Sequence, residues 1–368
     1  MVERRLLKNF DIGLVLLMAL ITIYGLVTVY SASRGGKMGA IFVHKQLIMA
    51  FVGAIAFAIA ASIDHKSYPR FARWIYAINM AMLVAVLLSG HSSKGAQRWI
   101  GVGGMTLQPS EFAKVAVIIT LAVFLVKHRE QLGELKTFAL SFVHVAVPML
   151  FVFKQPDLGT ALVLTAIWFG MLFIAGANRN HLAGFVLGVL LLGVIGWNTP
   201  HLLKDYQKGR LTSFINPAQD ERGSGYHVLQ SRIAIGSGQA TGKGWLHGTQ
   251  GQLGFIPERH TDFIFTVVAE ELGFVGAAVL LLMYFLLLWK AITIMSDTED
   301  TLGRFAAAGV VCMFTFHIMV NVGMTLGIMP VAGVPLPMFS YGGSSLLANM
   351  LALGILVGIG MRRHKINF

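Results

Sequence analysis

Long apolar runs recur along the whole chain and are separated by short polar segments. An α-helix needs about 20 apolar residues to cross the hydrocarbon core of a bilayer. The pattern therefore predicts membrane-spanning helices at roughly 12–31, 46–63, 73–90, 111–127, 138–154, 157–176, 181–199, 262–292, 304–328 and 342–361, which is ten in all. The eighth is long, and we expect it to tilt or to project beyond the bilayer.

These runs predict an all-α integral membrane protein in which one domain covers residues 1–368. A transmembrane barrel would need alternating segments of about ten residues, and the sequence contains none. The first run follows Arg4, Arg5 and Lys8 as the core of a signal peptide would, but it has full membrane length and many runs follow it. We interpret it as a retained first span.

Composition agrees with a membrane protein and argues against a soluble one. The chain is 55% hydrophobic and only 12% charged, about half the charged fraction of an average soluble domain. Its net charge of +12 fits membrane topology and anionic lipid better than nucleic acid. A single cysteine, Cys312, excludes an intramolecular disulfide and a cysteine metal site.

The distribution of Lys and Arg predicts the orientation. Fifteen of them lie at the two termini and in the loops that follow even-numbered spans, against six in the short loops on the other side. Both termini are therefore predicted to face the cytoplasm. The one long loop, about 200–261 between the seventh and eighth spans, is then extracytoplasmic, together with 91–110, 155–156 and 329–341.

The polar, Gly- and Pro-rich motifs concentrate on that predicted outer face, where separate loops could converge on one external site. They are KGAQRW (94–99), QPSEFAK (108–114), QPDLGT (155–160), GSGYHVLQSRIAIGSG (223–238), GKGWLHGTQGQLGFIPERHTD (242–262) and VPLPMFSYGGSS (334–345).

Asp262 stands directly before the eighth apolar run and has two compatible interpretations. It could be the N-cap of the helix, accepting N–H bonds, or a general base whose pKa rises through partial desolvation at the bilayer boundary. Its neighbours Glu258, Arg259 and His260 are either a solvated charged loop or part of a site. Glu270 and Glu271, deeper in the run, are predicted to pair with another span.

Glu111 and Lys114 are spaced i, i+3 and can form a salt bridge on one helix face. Lys114 lies about one turn into a hydrophobic span, so we expect it to face a protein cavity or an anion. Asp157 is either a helix cap or a second partner of Lys114. Metal binding is not indicated, because the sequence has neither an H-E-x-x-H motif nor a compact His and acid cluster.

The stretch 237–244 is a weak match to a phosphate-binding loop. It departs from the Walker pattern at both ends, with Ser237 in place of the first Gly and Gly244 in place of Ser or Thr. Its glycines leave two alternatives: backbone N–H groups that meet a phosphate together with Lys243, or a flexible loop.

Taken together, the motifs resemble the SEDS (shape, elongation, division and sporulation) family over nearly the whole chain. Arg259 in PERHTDF and the lead-in HGTQGQL are similar to its RodA branch rather than to the FtsW division branch. The resemblance implies a ten-helix peptidoglycan glycosyltransferase that polymerises lipid II on the outer face of the bacterial cytoplasmic membrane, for cell elongation and rod shape. It also implies that Asp262 is the catalytic acid, and that Glu111, Lys114 and Asp157 form a polar cluster in a central cavity.

Lipid II is a disaccharide-peptide on a polyprenyl diphosphate, so glycan extension needs a base for the acceptor hydroxyl and cations for the leaving diphosphate. Asp262 is the predicted base, and transfer in one displacement inverts the donor to give a β-1,4 linkage. The predicted substrate-binding cations are Lys114, then Arg98, Arg210, Lys243 and Arg259, and Glu258 and His260 complete the predicted set.

The resemblance further implies a class B penicillin-binding protein and elongation scaffold proteins as partners, with membrane lipids and no nucleic acid. It leaves open whether a divalent cation, Mg or Mn, assists the diphosphate. Two other functions stay open at this point. One is a flippase that transports lipid II, which polar residues inside the spans would also fit. The other is a non-catalytic scaffold of the elongation complex.

Overall fold

The computed structural model describes residues 9–33, 36–89, 91–93, 96–102, 105–199, 205–215, 223–252, 255–256 and 258–363. Its helices are α1 (Ile12–Ala32), α2 (Gly36–Ser62), α3 (Tyr68–Ser89), α4 (Pro109–Lys127), α5 (Leu135–Lys154), α6 (Leu158–Ala175), α7 (Arg179–Asn198), α8 (Asp205–Ile215), α9 (Ser224–Gly238), α10 (Thr249–Gln252), α11 (Ile264–Asp297), α12 (Thr301–Leu326) and α13 (Gly343–Met361). Within the described residues, ten helices are long and apolar enough to cross a membrane, which confirms the predicted number.

The orientation stays a prediction. Several of the basic residues on which it rests lie outside the described residues, namely Arg4, Arg5, Lys8, Arg34, Lys94 and Lys365. Parts of the predicted long loop, 200–204, 216–222, 253–254 and 257, also lie outside them.

The second span begins earlier than predicted. The apolar run indicated a start at 46, whereas α2 begins at Gly36. Its first turns carry Lys37, His44 and Lys45, which are exposed along the helix. Long basic side chains place their charges in water while the backbone stays helical, so the apolar run marks only the part of the helix that lies in hydrocarbon.

A small antiparallel sheet lies between α3 and α4, in a segment that was predicted as a plain connection. Its strands are β1 (His91–Ser93), β2 (Ala96–Val102) and β3 (Met105–Leu107), in the order β1-β2-β3. Ile100 pairs with Leu107, and Gly101 with Thr106. The prediction of a purely α-helical chain was incomplete here, because an open sheet edge is tolerated outside the hydrocarbon region.

Three helices form the centre of the bundle. Helices α4, α12 and α13 are buried over most of their length, whereas α7 is almost entirely exposed. Two glycines of α13 lie against α2, and a Cβ at Gly354 or Gly358 would meet the backbone of Phe57 or Ala61. Small residues at such a spacing let two helices approach closely in a membrane.

The predicted long loop is partly helical. It contains α8, α9 and α10, and α9 packs against α11 and α12. Ser231 in α9 is fully buried and donates to the carbonyl of Thr325 at 2.8 Å. The loop therefore docks on the spanning helices at the end of the bundle where most of the polar motifs lie.

Helix α11 is interrupted at Gly273, whose backbone (φ 65°, ψ −161°) is accessible to glycine only. The segment 239–244 pairs with the interruption. Phe274 N donates to the carbonyl of residue 239 at 2.8 Å, and the amide of Lys243 donates to the carbonyl of residue 270 at 3.1 Å. The backbone groups that the break releases are therefore bonded within the protein, as a membrane segment requires.

This pairing accounts for the glycines of 237–244. The amides of Lys243 and Gly244 donate to carbonyls of α11, at 3.1 and 2.9 Å, instead of forming a phosphate cradle. The prediction of a phosphate cradle was therefore wrong, because these amides are already bonded, whereas the alternative of a flexible loop stays a prediction.

The two acids that precede the break are paired as well. Glu270 accepts from Lys243 Nζ at 2.8 Å and from the amide of Thr249 at 2.8 Å. Glu271 accepts from Ser31 Oγ of α1 at 2.6 Å. The prediction that these acids pair with another span is confirmed for Glu271, whereas Glu270 is bound by the loop.

Candidate active site

A cavity of about 420 Å³ opens at the end of the bundle where the polar motifs meet. Five of the six motifs contribute to it, and 223–238 does not. The described residues that line it are Arg98, Trp99, Thr106, Gln108, Glu111, Asp157, Thr160, Val163, Glu258, Thr261, Asp262, His317, Gly333, Val334, Pro335, Tyr341, Gly342, Gly343, Ser344 and Ser345.

Asp262 lies in the turn that precedes α11 and faces this cavity. The N-cap of α11 is Phe263, which has no side-chain capping bond, so the interpretation of Asp262 as the cap was wrong. A Cβ placed on Gly333 would lie 3.5 Å from Oδ2 of Asp262 and 3.9 Å from Nη2 of Arg210. The carboxylate and the guanidinium therefore face one common space above Gly333.

Arg210 reaches this place from α8. Its Nη1 donates to the carbonyl of Ala332 at 3.1 Å, in the residue before Gly333. Gly333 has a positive φ of 70° and carries no side chain, so no Cβ of residue 333 stands between the acid and the cation.

The predicted pair of Glu111 and Lys114 is confirmed, with 2.9 Å between Oε2 and Nζ. Lys114 is only 1% exposed and is absent from the cavity wall, whereas Glu111 and His317 line it. Nζ of Lys114 also lies 3.2 Å from Nε2 of His317. Lys114 thus stands behind the wall and acts on the cavity through two other side chains.

Sequence reasoning missed His317, although a histidine inside a span is itself a signal of a functional or paired group. Its Nδ1 lies 3.1 Å from the carbonyl of Pro335, which can only accept. Nδ1 must therefore carry the proton, and Nε2 accepts from Lys114. The ring is held as one tautomer between two fixed partners.

Asp157 caps α6, which was one of its two predicted roles. It accepts from the amide of Thr160 at 3.2 Å, from the hydroxyl of Thr160 at 3.0 Å and from Nε2 of Gln108 at 3.1 Å. The alternative role, as a partner of Lys114, receives no support, since Lys114 is bonded to Glu111 and His317. The cap fixes this carboxylate in the cavity wall.

Arg98 enters the wall from β2. Its Nε donates to the carbonyl of Gln155 at 2.9 Å, and Nη2 donates to that of Pro156. These carbonyls are neutral, so they orient the guanidinium without cancelling its charge. Glu258 lines the same cavity and accepts from the hydroxyl of Thr261 at 3.2 Å.

Three predicted site residues lie elsewhere. Lys243 is paired with Glu270, Arg259 donates to the carbonyl of Ala32, and the ring of His260 packs 5.0 Å from that of Phe42. None of the three belongs to the described wall of the cavity.

Tyr341 does line the cavity, and its ring lies 5.6 Å from that of His260. Burial raises the pKa of its phenol.

The charged residues in the described wall are four carboxylates and Arg98. In the part of the chain that the structure describes, no group of three or more His, Cys, Asp or Glu side chains could hold a metal ion. A cavity with a carboxylate beside a guanidinium, and a second guanidinium on the wall, can deprotonate a hydroxyl and stabilise a departing anion.

Comparison with known proteins places the chain in a defined group. The model of the FTSW_RODA_SPOVE family, described as a cell cycle protein, matches residues 10–365. The chain is 39% identical over 360 residues to peptidoglycan glycosyltransferase MrdB of Escherichia coli (strain K12), covering 98% of this chain and 95% of the relative. It is 35% identical over 428 residues to peptidoglycan glycosyltransferase RodA of Treponema pallidum (strain Nichols), covering 97% and 98%.

Solved structures are similar over the same extent. A chain from a peptidoglycan synthase complex, in a study of how polymerization and crosslinking are coordinated, superposes with a TM-score of 0.82 at 30% identity. That match covers 97% of this chain and 99% of the other. The crystal structure of the rod shape determining protein RodA of Thermus thermophilus superposes with a TM-score of 0.72 at 28% identity, covering 97% and 98%.

Proposed function

This chain belongs to the FTSW_RODA_SPOVE family, and from that premise we propose that it is a peptidoglycan glycosyltransferase that polymerises lipid II. It is a multi-pass protein of the bacterial inner membrane, and it serves cell elongation and rod shape. The active site is the cavity that contains Asp262, on the extracytoplasmic face.

The observation that carries this proposal is the placement of Asp262 and Arg210 on either side of one point above Gly333. A glycosyl transfer to a hydroxyl needs a base and a cation near the same reacting atoms. Here Oδ2 of Asp262 and Nη2 of Arg210 both lie within 4 Å of one point above Gly333, a residue of the cavity wall. The cavity lies at an end of the bundle, so a substrate with its polyprenyl tail in the bilayer can present its sugar there.

The proposed step is a single displacement. The 4-hydroxyl oxygen of the acceptor N-acetylglucosamine attacks the anomeric carbon of the donor and forms the β-1,4 bond. The bond between that carbon and the diphosphate oxygen breaks, and polyprenyl diphosphate leaves with the electron pair. The hydroxyl proton passes to the carboxylate of Asp262. Configuration inverts once, so no enzyme nucleophile takes part.

Arg210 and Arg98 are the proposed ligands of the diphosphate. Arg210 faces the space beside Asp262, and Arg98 is oriented on the wall by two backbone carbonyls. The order expected from the sequence, with Lys114 first, changes because Glu111 and His317 cover its ammonium group. Lys114 supports the wall instead.

A purified preparation tests the activity. The protein is copurified with its proposed partner, a class B penicillin-binding protein, in detergent and supplied with labelled lipid II. We expect polymer from the wild type and a loss of about 10²–10⁴-fold for Asp262→Asn, with the complex intact. Polymer from Asp262→Asn at the wild-type rate would refute the base.

The same assay separates the two other functions. Detergent micelles have no two sides, so a transporter yields no polymer in them. A scaffold would leave synthesis to another protein, so a complex of this chain and the class B penicillin-binding protein alone would yield no polymer. An arm with a chelator tests the divalent cation: an unchanged rate means that the arginines alone receive the diphosphate.

The face of the membrane is tested separately. Single cysteines are introduced at exposed positions of the loop in a Cys312→Ser background, and intact cells are treated with a membrane-impermeant thiol reagent. Labelling from outside is the expected result, and labelling only after lysis would reverse the proposed orientation.

A further inference from the structure

The turn that carries Asp262 is held by three successive backbone carbonyls. The carbonyls of residues 260, 261 and 262 accept, in that order, from the amide of Tyr341 at 2.9 Å, from Oγ of Ser340 at 2.7 Å and from Nδ2 of Asn321 at 2.9 Å. Of these donors, Asn321 is the one that comes from a spanning helix, α12, and that bonds to Asp262 itself.

Asn321 is fully buried, and its amide joins two separate segments. Nδ2 donates to the carbonyl of Asp262 and, at 2.8 Å, to that of Val334 in the cavity wall. Both partners are backbone carbonyls, which only accept, so the nitrogen and not the oxygen of the amide must face them. Oδ1 is buried and has no hydrogen-bond partner among the described residues.

His317 stands one helical turn before Asn321 and therefore lies on the same face of α12. Its Nδ1 donates to the carbonyl of Pro335, the residue that follows Val334. One face of α12 thus donates to two adjacent carbonyls, those of Val334 and Pro335. Asn321 donates in addition to the carbonyl of Asp262, which belongs to a different segment of the cavity wall.

We propose that Asn321 is a positioning residue for the transfer reaction. By bonding to Asp262 and Val334 with one nitrogen, it sets the separation between the turn that carries the base and the segment that contains Gly333. That separation determines where the carboxylate of Asp262 lies relative to Arg210 and to the space between them. The inference rests on the proposed function, in which Asp262 is the base.

A packing role alone does not account for an asparagine at this position. A leucine would occupy nearly the same space without burying an oxygen that lacks a partner. What the amide adds is a pair of donors aimed at the two sides of the cavity. A displacement of about 1 Å in a reacting group is enough to slow a reaction by about 10²-fold.

The test uses the purified complex with its penicillin-binding partner and measures kcat and KM for lipid II. Asn321→Asp keeps the size of the side chain but turns an acceptor toward both carbonyls. We expect kcat to fall by about 10²-fold with KM unchanged. Asn321→Gln keeps both donors on a longer arm, and we expect it to retain a higher kcat than Asn321→Leu.

Ser141→Ala is the control. Ser141 is also buried and hydrogen-bonded, but it lies in α5, its Oγ accepts from Nε1 of Trp168 at 3.0 Å, and neither residue belongs to the described cavity wall. We expect Ser141→Ala to lower the thermal midpoint while keeping the wild-type kcat. Equal kcat values for Asn321→Leu and Asn321→Gln, both folded, would overturn the positioning role.

A double-mutant cycle separates this inference from the proposed function. If Asn321 acts through Asp262, then Asn321→Asp causes no further loss in the residual rate of Asp262→Asn. Wild-type kcat in Asn321→Asp, together with an inactive Asp262→Asn, refutes the role of Asn321 and leaves the base in place. An active Asp262→Asn refutes the base first.

Discussion

Nζ of Lys114 lies 3.2 Å from Nε2 of His317, and the contact joins α4 to α12 across 203 positions of the sequence. The same ammonium group is 2.9 Å from Oε2 of Glu111, and all three side chains are buried. A charge in such a place is stable only while its partners remain, so this contact has a direct consequence for stability.

Lys114→Met leaves Glu111 buried without its cation. We expect a loss of about 3–5 kcal/mol in the free energy of unfolding, because an uncompensated buried charge remains. Thermal unfolding in detergent measures it, and the double variant Lys114→Met/Glu111→Gln should recover a large part of the loss. An inactive Lys114→Met with unchanged stability would instead indicate that Lys114 contacts the substrate.

Gly333→Ala tests the open space between Asp262 and Arg210. The new methyl group enters that space 3.5 Å from Oδ2 of Asp262, and the backbone has a positive φ of 70°. We expect kcat to fall by at least about tenfold, together with about 1–2 kcal/mol of lost stability.

Gly176→Ala is the control for that variant. Gly176 has a φ of 84° at the end of α6, and a Cβ there meets nothing within 4 Å. It should lose similar stability and keep its glycan synthesis. Equal activity in the two alanine variants would mean that the space above Gly333 is not used in catalysis.

Gly242→Ala tests the segment that pairs with the break in α11. Gly242 has a φ of 82°, and a Cβ there would collide with the backbone of Glu271. The backbone strain at residue 242 and the displacement of the segment 239–244 from α11 therefore both lower the stability. Gly244 also has a positive φ, of 99°, but a Cβ there would lie 3.6 Å from the nearest atom. We expect Gly244→Ala to lose about 1–3 kcal/mol and Gly242→Ala distinctly more, as measured by thermal unfolding.

Arg98→Gln removes a positive charge from the cavity wall. If Arg98 binds the diphosphate, KM for lipid II should rise by about 10–100-fold, since a hydrogen bond to a charged group contributes about 1.5–3 kcal/mol. Arg129→Gln serves as the control, because Arg129 is exposed, donates to Thr301 and follows the end of α4 opposite to the cavity residues Gln108 and Glu111. Unchanged KM in Arg98→Gln would assign the diphosphate to Arg210 alone.

The lowered pKa of Asp11 should make the stability of the folded protein depend on pH. Partial burial raises its pKa, but the hydrogen bond from Lys290, the amide of Leu14 and the charges of Lys290 and Arg363 outweigh this, so the pKa lies below its usual value. A lowered pKa stabilises the folded state above about pH 4, and that contribution is lost as the pH falls through the folded value.

Asp11→Asn removes this contribution. Its thermal midpoint should lie below that of the wild type at pH 7, and the two curves should approach each other as the pH falls below about 4. A constant difference between the curves at all pH values would contradict the assignment to Asp11.

The membrane spans and the ion pair of Glu111 and Lys114 could be predicted from the sequence, because each depends on the spacing of residues that are close along the chain. Apolar runs of membrane length determine the ten helices, and the i, i+3 spacing brings Glu111 to Lys114. The sheet at 91–107 and the helices of the loop were missed, because outside the hydrocarbon region no apolar run marks an element.

The candidate site was only partly predictable for a different reason. Motif composition indicated Asp262, Glu111, Asp157 and Arg98, and the structure brings these residues to one cavity. His317 and Asn321 lie within an apolar span, and their partners, the side chain of Lys114 and backbone carbonyls of other segments, come from elsewhere in the sequence, which no spacing rule reveals. The partner of Lys243, Glu270, depends likewise on the course of a long loop.

The interruption of α11 at Gly273 bears on how the chain enters the membrane. The stretch after the glycine, up to Asp297, is about 36 Å long as a helix and crosses a bilayer without the turns before it. In the predicted orientation, residues 239–244 leave the ribosome and are exported before that stretch is inserted. The translocon can therefore release residues 274–297 as a complete anchor. The short helical segment between Asp262 and Gly273 then docks against residues 239–244, which have already been exported.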